Sequence, residues 1–263
     1  GLGLFGGLMF YSTLQVTQLV PHELIVHLPA HGAFVFADDI RFPGSNQIAV
    51  TPENDVVAVG DQGARFPCHP PTSHGDGLLM WLEEYSHRLD AGVYAVAPAD
   101  LGSDTIDMLW RFPLPAAEAA AEHPACASAE VTQGLRVSAS PVLVLQNSSD
   151  TALFFTYQLR MRLLPSSPHE RAQLSLRHWD ITHHRGGQTE VVEGPGVVGE
   201  HPVLVRGDSG PPFHYASCTR AGRAGGTMGG WLSFVPGTLA AARGEEFRAA
   251  VPTMALALPE WIF

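Results

Sequence analysis

The chain has 263 residues, and its 26 acidic residues against 15 basic ones leave a formal net charge of −11 at pH 7. This charge repels phosphate backbones and argues against a nucleic-acid partner. No apolar run approaches the roughly 18 residues of a membrane span, so we expect no membrane contact. The three cysteines are too few and too scattered for a disulfide framework or a zinc site. They fit a reducing compartment, and we predict a cytoplasmic and/or nuclear location.

The first half mixes strand-like and helical patterns. The segment "QIAVTPENDVVAVGDQG", which starts at Gln47, predicts two short strands around a Pro-Glu-Asn-Asp turn. The segment at 73–92 predicts a helix. A capping box at Ser73 and Asp76 and a stop at Gly92 mark its ends. Its predicted apolar face consists of Leu78, Leu82, Tyr85 and Leu89.

The charge balance changes at a Pro- and Ala-rich segment, "PLPAAEAAAEHPACAS", at 113–128. Residues 1–128 hold 15 acidic and 4 basic residues, whereas residues 129–263 hold 11 of each. We therefore predict an α+β domain at 1–112, a linker at 113–128 and a second domain at 129–263.

Alternating patterns dominate the second domain. "FFTYQLRMRLL" at 154–164 predicts a strand with one buried and one wet face. The buried face consists of Phe155, Tyr157, Leu159, Met161 and Leu163, and the wet face of Thr156, Gln158, Arg160 and Arg162. In "QLSLRHWDIT" the apolar phase shifts before Trp179, which predicts a β-bulge near Arg177 and His178. Further short strands and Gly/Pro turns predict an all-β antiparallel sandwich.

The stretch "EGPGVVGEHPVLVRGDSGPP" at 193–212 has several interpretations. Gly194, Gly196 and Gly199 spell G-x-G-x-x-G, which cradles a dinucleotide when it links a strand to a helix. Here it leads into "VLV", another strand pattern. We interpret the glycines as a turn that reverses the chain between neighbouring strands. An amide nest that binds an anion stays open as an alternative.

The end of the same stretch contains two motifs that resemble known functional signatures. "GDSG" at 207–210 resembles the nucleophile signature of a trypsin-type protease, and Arg206-Gly207-Asp208 is an adhesion tripeptide. No matching histidine segment precedes Ser209, and Pro211 follows it, so we expect a turn. The 13 histidines lack metal-ligand spacing, and we expect solvated loop histidines. We predict no catalytic residue, no metal site and no cofactor.

The second domain resembles the ApaG family. Its motifs occur here in order as "LSLRHWDIT", "VVEGPGVVGEHPVL", "FHYASCT" and "GGTMGGWLSFV". The resemblance covers 129–263 and implies an immunoglobulin or fibronectin-like sandwich. Most members have Pro-Gly-Glu where this chain has "RGDSGPP", which implies a variable hairpin connection there.

The first domain is similar to part of a SUKH-type domain, through "LFGGLMFYSTLQVTQLVP" and the helix at 73–92. A SUKH domain followed by ApaG resembles the plant and algal SKP-interacting F-box proteins and F-box only protein three. That resemblance implies the client-binding part of an SCF-type ubiquitin ligase. An F-box upstream of this chain would contact the SCF adaptor and cullin.

These considerations predict a non-enzymatic protein-recognition module with a protein client. The alternatives are anion, pyrophosphate or nucleotide binding at the glycine loop, and a structural subunit of a larger assembly. The predicted partner-binding residues are Gly194, Pro195, Gly196, Val197, Val198, Gly199 and Glu200, with Arg177, Trp179 and Tyr215 nearby by the family pattern. For Trp179 and Tyr215, core packing is the competing interpretation.

Overall fold

The computed structural model describes residues 8–10, 34–39, 47–60, 63–71, 76–91, 95–100, 105–110, 128–183, 187–208 and 212–262. These residues fall into two compact units. The first draws on Gly1–Ala117, Val142–Phe154 and Leu258–Phe263, and the second on Glu118–Pro141 and Phe155–Ala257. Two segments from the second half of the chain thus group with the first unit.

The described part of the first unit contains an antiparallel sheet in the order β1-β2-β3-β4-β5. Its strands are β1 (Leu8–Phe10), β2 (Phe34–Asp39), β3 (Gln47–Val50), β4 (Val56–Val59) and β5 (Arg65–Pro67). Helix α1 (Gly77–Asp90) and the hairpin of β6 (Ala95–Asp100) and β7 (Thr105–Trp110) follow. β3 and β4 pair around a turn at 51–55, which confirms the two predicted strands.

Helix α1 differs from its prediction at its start and on its buried face. Asp76 caps it, because its Oδ1 accepts the Leu78 N–H at 3.1 Å, and Ser73 and Gly92 lie outside the described residues. Trp81 is fully buried, whereas Leu82 is 37% exposed, so the prediction was wrong at Leu82. The predicted face residues Leu78 and Tyr85 are half-buried.

The buried face of α1 is set by a distant segment of the chain. The Trp81 indole N–H donates to the carbonyl of Ile262 at 2.6 Å, and the Ile262 N–H donates to the Cys68 carbonyl at 3.0 Å. Most buried indole N–H groups have such an acceptor. Helical periodicity could not reveal this contact, since Trp81 and Ile262 are 181 residues apart in the chain.

The second unit is built mainly from ten strands. They are β8 (Ser128–Thr132), β9 (Leu135–Leu143), β10 (Ala152–Leu163), β11 (Arg171–His183), β12 (Thr189–Pro195), β13 (Val203–Val205), β14 (Phe213–Gly222), β15 (Gly226–Thr238), β16 (Ala241–Ala242) and β17 (Phe247–Leu256). A 3-10 helix at Leu145–Asn147, between β9 and β10, groups with the first unit. Ser128, the last residue of the predicted linker, already belongs to β8, and residues 113–127 lie outside the described ranges.

The strands form two sheets, as the alternating patterns predicted, and β8 pairs antiparallel with β9. One has the order β14-β10-β9-β8, and the other has β12-β11-β15-β16, with β13 on β11 and β17 on β15. Tyr157 of β10 meets Trp179 of β11 edge-on, with ring centroids 5.6 Å apart. The two sheets therefore enclose an apolar core, and this part of the chain is an all-β sandwich.

Strand β10 confirms one predicted face and corrects the other. Its predicted apolar residues are buried, but Gln158, placed on the wet face, is only 4% exposed. Burial also lowers the pKa of Arg160. The neighbouring strand β9 is buried without interruption from Val137 to Leu143, so both of its faces are covered. The alternation within one strand does not show whether another segment buries its polar face.

Within the described ranges, no helix is long and apolar enough to cross a bilayer.

Candidate functional site

The candidate glycine loop interrupts an edge strand of the second sheet. β12 and β13 both pair antiparallel with the same side of β11. The Gly196 N–H donates to the Ser175 carbonyl at 3.0 Å. The Leu174 N–H donates to the Pro202 carbonyl at the same distance of 3.0 Å. Because Leu174 and Ser175 are consecutive, residues 197–201 are an insertion that projects from one interrupted strand.

This arrangement corrects the predicted topology of the loop. The glycines were expected to reverse the chain between neighbouring strands, yet β12 and β13 run in the same direction along β11. No helix follows the loop, as predicted, and β13 takes its place. A glycine pattern indicates a tight turn but not which strands pair on either side of it.

β11 carries a bulge at the point of insertion. Its pairing with β15 shifts at Ser175, whose hydroxyl donates to the Glu246 carboxylate. This hydrogen bond lowers the pKa of Glu246. The bulge predicted near Arg177 and His178 therefore lies at Ser175. In the sequence, Leu174 and Leu176 still follow one alternation, and Trp179 is the first large apolar residue that departs from it.

The tip of the loop is a two-residue hairpin turn. The Val197 N–H donates to the Glu200 carbonyl at 2.9 Å, and the Glu200 N–H returns a bond of 2.8 Å. Val198 and Gly199 have φ of 49° and 81°, the signs of a type I′ turn. A positive φ in a β-branched residue costs about 1–3 kcal/mol. Val197 is 1% exposed and anchors the turn, whereas Val198 is 70% exposed at its tip.

Arg177 clamps the base of the loop. Its Nη1 donates to the carbonyls of Pro195 and Gly196, at 3.2 and 3.0 Å. Gly194 lies opposite Arg177, and a Cβ there would come within 3.0 Å of the guanidinium. The absence of a side chain at Gly194 thus makes room for the clamp. The pairing of β11 with β12 thus brings Arg177 and the base of the loop together.

The other two predicted site residues lie inside the sandwich. Trp179 is 2% and Tyr215 is 8% exposed. Tyr157 contacts both of them edge-on, with its centroid 6.3 Å from that of Tyr215. Burial raises the pKa of Tyr215 and of Tyr157. Both candidates therefore have the environment of core residues, and neither side chain reaches the surface of the loop.

The loop's backbone leaves few donors for an anion. The amides of Gly196, Val197 and Glu200 already donate to backbone carbonyls. Val198 and Gly199 supply the remaining amides of the turn, and the exposed Glu200 carboxylate lies beside them. A phosphate cradle needs several convergent free amides and benefits from a helix N-terminus. The geometry of this loop offers neither.

A charged aromatic cluster on the outer face of the sheet escaped sequence reasoning. His178 Nδ1 lies 2.6 Å from Glu193 Oε1, and its Nε2 lies 3.1 Å from Asp180 Oδ1. The imidazole stacks on Trp231 at 4.7 Å, and Arg248 lies 4.0 Å from the centre of the same indole. The bond to Glu193 raises the pKa of His178. His178 is therefore a bonded strand residue, not the solvated loop histidine that was expected.

A second histidine, His69, also departs from expectation. His69 is 4% exposed, and its Nε2 accepts the Val56 N–H at 3.0 Å. Its Nδ1 lies 2.7 Å from the Pro70 carbonyl, which fixes the proton on Nδ1. No group of three or more potential ligands among the described residues is arranged to hold a metal ion.

The described part of the protease-like and adhesion-like motifs, residues 206–208, forms a turn. The Asp208 N–H donates to the Val205 carbonyl at 3.3 Å, immediately after β13. Ser209 and Pro211 lie outside the described residues.

Comparison with known proteins agrees with the sandwich and its loop. The family description "DUF525: ApaG domain" matches residues 145–236. The chain is 37% identical to Protein ApaG of Methylobacterium sp. (strain 4-46) over 130 residues, which are 49% of this chain and 91% of that protein.

Two longer relatives extend the similarity towards the first unit. F-box protein SKIP16 of Arabidopsis thaliana is 32% identical over 201 residues, which are 72% of this chain and 42% of that protein. F-box only protein 3 of Bos taurus is 31% identical over 186 residues, which are 70% of this chain and 35% of that protein. The chain thus spans less than half the length of either F-box protein. The match to Protein ApaG, 91% of which is covered at 37% identity, establishes that the chain belongs to the ApaG domain family.

Proposed function

We propose that the chain is a non-enzymatic protein-recognition module that contacts its client through the tip of the inserted loop. Val198 carries the proposal, because an apolar side chain is 70% exposed at positive φ on a projecting turn. Neither feature stabilises the fold. A client surface that covers Val198 would remove this side chain from water, which is a favourable contribution to binding.

The hydrogen bonds at the base of the loop support the same role. Arg177, the buried Val197 and the backbone bonds to β11 hold the turn before any partner arrives. A contact surface that is already ordered loses less conformational entropy on binding. The proposed contact residues are Pro195, Val198, Gly199 and Glu200, which are exposed, and the supporting residues are Gly194, Gly196, Val197 and Arg177.

The similarity to F-box proteins supports a specific setting for this module. We place it in a longer protein whose F-box docks on an SCF adaptor and cullin, while these residues select a client. The first unit would then be the SUKH-like α+β part of the receptor, located in the cytoplasm or nucleus. The share of the chain matched by SKIP16 and by F-box only protein 3 motivates this assignment.

The loop contact is tested with a matched pair of variants. In the complete protein, Val198→Asp should lose the client, because a carboxylate would be desolvated in the apolar contact. Val131→Asp on β8 is the control, since Val131 is also an exposed valine, at 56%. Quantitative mass spectrometry of affinity-purified complexes compares the two. A client that both variants retain equally would contradict the proposal.

A second variant separates binding from folding. Val198→Gly relieves the positive φ, so the free energy of unfolding should stay constant or rise by up to about 1 kcal/mol. Client binding should weaken at the same time, because the apolar contact is lost. A variant that is both less stable and equally well bound would assign Val198 to the fold instead.

The ligase setting has its own test. The complete protein should co-purify with an SCF adaptor and a cullin, and failure to do so would reject the ligase part alone. The 263 residues contain no lysine, for which biased codon usage is the simplest explanation. Lysine-linked ubiquitin formed in a reconstituted reaction therefore cannot be attached to these residues, which makes client modification easier to recognise.

The competing functions predict different results. Pyrophosphate or ATP would raise the Tm in a dose-dependent way if the loop bound anions, because ligands that bind only the native state stabilise it. A structural subunit would instead cause its assembly to dissolve when residues 129–263 are deleted. A client that accumulates while the assembly stays intact would favour recognition.

A further inference from the structure

We infer that β13 is a docking edge for an extended peptide segment of a partner, which adds as a further strand and fills the groove beside it. The partner segment would carry apolar side chains at alternate positions and acidic ones between them. This mode rests on the protein-recognition role proposed above, and it uses a surface separate from the Val198 tip.

The first step concerns the backbone of β13. The Leu174–Pro202 and Glu170–Arg206 bonds mark the hydrogen-bonded pairs with β11. In an antiparallel pair, residues that bond to the neighbouring strand alternate with residues that do not. Val203 and Val205 are of the second kind, so their N–H and C=O groups point away from β11. Asp208 N–H uses the Val205 carbonyl, which leaves the Val203 N–H and C=O and the Val205 N–H directed outward. An extended backbone is the ligand that matches such a row of groups.

The second step concerns the groove that the same edge borders. A cleft of about 420 Å³ lies between β13 and the strands β10 and β14 of the facing sheet. Its apolar lining includes Met161, Leu163, Leu204 and Phe213. Side chains on the inner face of an added strand would point into this cleft. Hydrogen bonds at the edge and burial in the cleft would therefore act together.

The charge of Arg171 determines which side chains the outer face of the added strand should carry. Arg171 lies opposite Val205 on β11 and is exposed, and no ion-pair partner for it occurs among the described residues. An acidic side chain on the outer face of an added strand would come within reach of this guanidinium. The charge of Arg171 therefore favours a segment that alternates apolar and acidic residues.

The neighbouring half of the same edge provides the contrast. β12 also turns backbone groups outward, at Val191 and Glu193, but it carries the charges of Glu190 and Glu193 and ends at Pro195. Charged side chains and proline are the devices that protect a sheet edge from pairing. β13 carries neither a charged side chain nor a proline, since it consists of Val203, Leu204 and Val205, and its short length is the protecting feature that it has. The difference in charge between the two halves favours β13 over β12 as the edge that a partner strand joins.

The experiment titrates the full chain with the capped peptide Glu-Val-Asp-Leu-Glu-Val-Asp and follows backbone amide resonances by NMR at physiological ionic strength. A control peptide of the same composition, Glu-Glu-Asp-Asp-Val-Leu-Val, lacks the alternation. We expect shifts at Val203 and Val205 with the first peptide and a Kd at least tenfold weaker with the second. No shift at millimolar peptide would overturn the proposal.

Three variants locate the contact. Val205→Pro removes an outward N–H without touching a bond to β11 and should weaken binding about tenfold, the effect of one lost hydrogen bond. Val191→Pro makes the same change on β12 and should leave binding unaltered. Arg171→Gln keeps the backbone intact and should weaken binding severalfold. Equal losses in Val205→Pro and Val191→Pro would contradict the assignment to β13.

Two further outcomes are informative. Self-association that rises with concentration and disappears in Val205→Pro would assign the edge to a second copy of the chain and overturn the proposal. Val198→Asp should bind the peptide normally, because the tip and the edge are separate. Loss of client binding in Val198→Asp with normal peptide binding would therefore support both sites, whereas peptide failure alone would reject only the edge.

Discussion

Two tryptophans on neighbouring strands show how differently the two faces of this sheet are stabilised. Trp179 of β11 lies on the inner face, 2% exposed, against the edge of Tyr157. Trp231 of β15 lies on the outer face, between His178 at 4.7 Å and Arg248 at 4.0 Å. The inner residue is held by burial, and the outer one by stacking with groups that carry or acquire positive charge.

The difference shows what each face contributes to the loop. Arg177 shares the inner-face phase of Trp179 and clamps the loop carbonyls, while His178 holds Glu193 just before the loop begins. Burial on the inner face is insensitive to pH and salt, but the outer contacts depend on both. Substitutions on the two faces should therefore differ in size and in their response to solution conditions.

The largest effect is expected inside. Trp179→Ala should lower the free energy of unfolding by about 3–5 kcal/mol, because it removes a large buried ring and leaves a cavity. Trp231→Ala is the comparison and should cost no more than about 2 kcal/mol from its cation contacts. Urea unfolding followed by circular dichroism measures both. Similar losses at the two positions would remove the distinction between the faces.

The clamp should rank second. Arg177→Met removes two charge-assisted hydrogen bonds and should cost about 1.5–3 kcal/mol, with faster amide exchange at Val197 and Glu200. Arg171→Met makes the same change at an exposed position of the same strand and should alter the stability by no more than about 0.5 kcal/mol. The idea fails if exchange at the loop amides is unchanged in Arg177→Met.

The stability contributed by the outer face should depend on pH through His178. Because the pKa of His178 is raised, its stabilising contribution is complete below the unfolded pKa of about 6.5 and is lost as the pH rises through the higher folded pKa. His178→Gln should abolish this component of the pH dependence. Stability curves from pH 5 to 9, with an NMR titration of the imidazole, provide the measurement. A wild-type histidine that titrates below about 6.5 would contradict the expected direction.

The smallest change in stability is expected from Arg248, the second cationic group that contacts the Trp231 indole. Arg248→Gln should cost about 0.5–1 kcal/mol, since the contact with Trp231 is at the surface. Arg243→Gln is the matched control, because its ion pair with Glu170 is exposed on both sides and should contribute less. Trp fluorescence and unfolding curves should respond to the first substitution and scarcely to the second.

Much of the fold was predictable because its signals are local. Period-2 alternation located β10, and the turn between β3 and β4 followed from Pro-Glu-Asn-Asp. The glycine loop came from its own G-x-G-x-x-G spacing, and the family resemblance placed Arg177, Trp179 and Tyr215 near it. Each of these inferences needs only neighbouring residues or ordered motifs.

The errors share one physical cause. Gln158 is buried, Leu82 is exposed, and the bulge lies at Ser175 because distant segments cover or pair with these positions. The stack of His178 on Trp231 likewise joins strands far apart in the sequence. Local periodicity contains no information on such contacts, so this cluster could not be predicted, whereas the family pattern had placed Arg177 near the loop.

The sequence by itself determined that this protein has an ApaG sandwich with a tight glycine turn, since alternation, turn chemistry and motif order are properties of short stretches. Only the tertiary structure decided that the turn projects from an interrupted edge strand, that Val198 occupies its tip and that β13 keeps outward backbone groups. The physical reason is that strand pairing and register arise from contacts between remote residues, and a one-residue shift changes which groups face the partner.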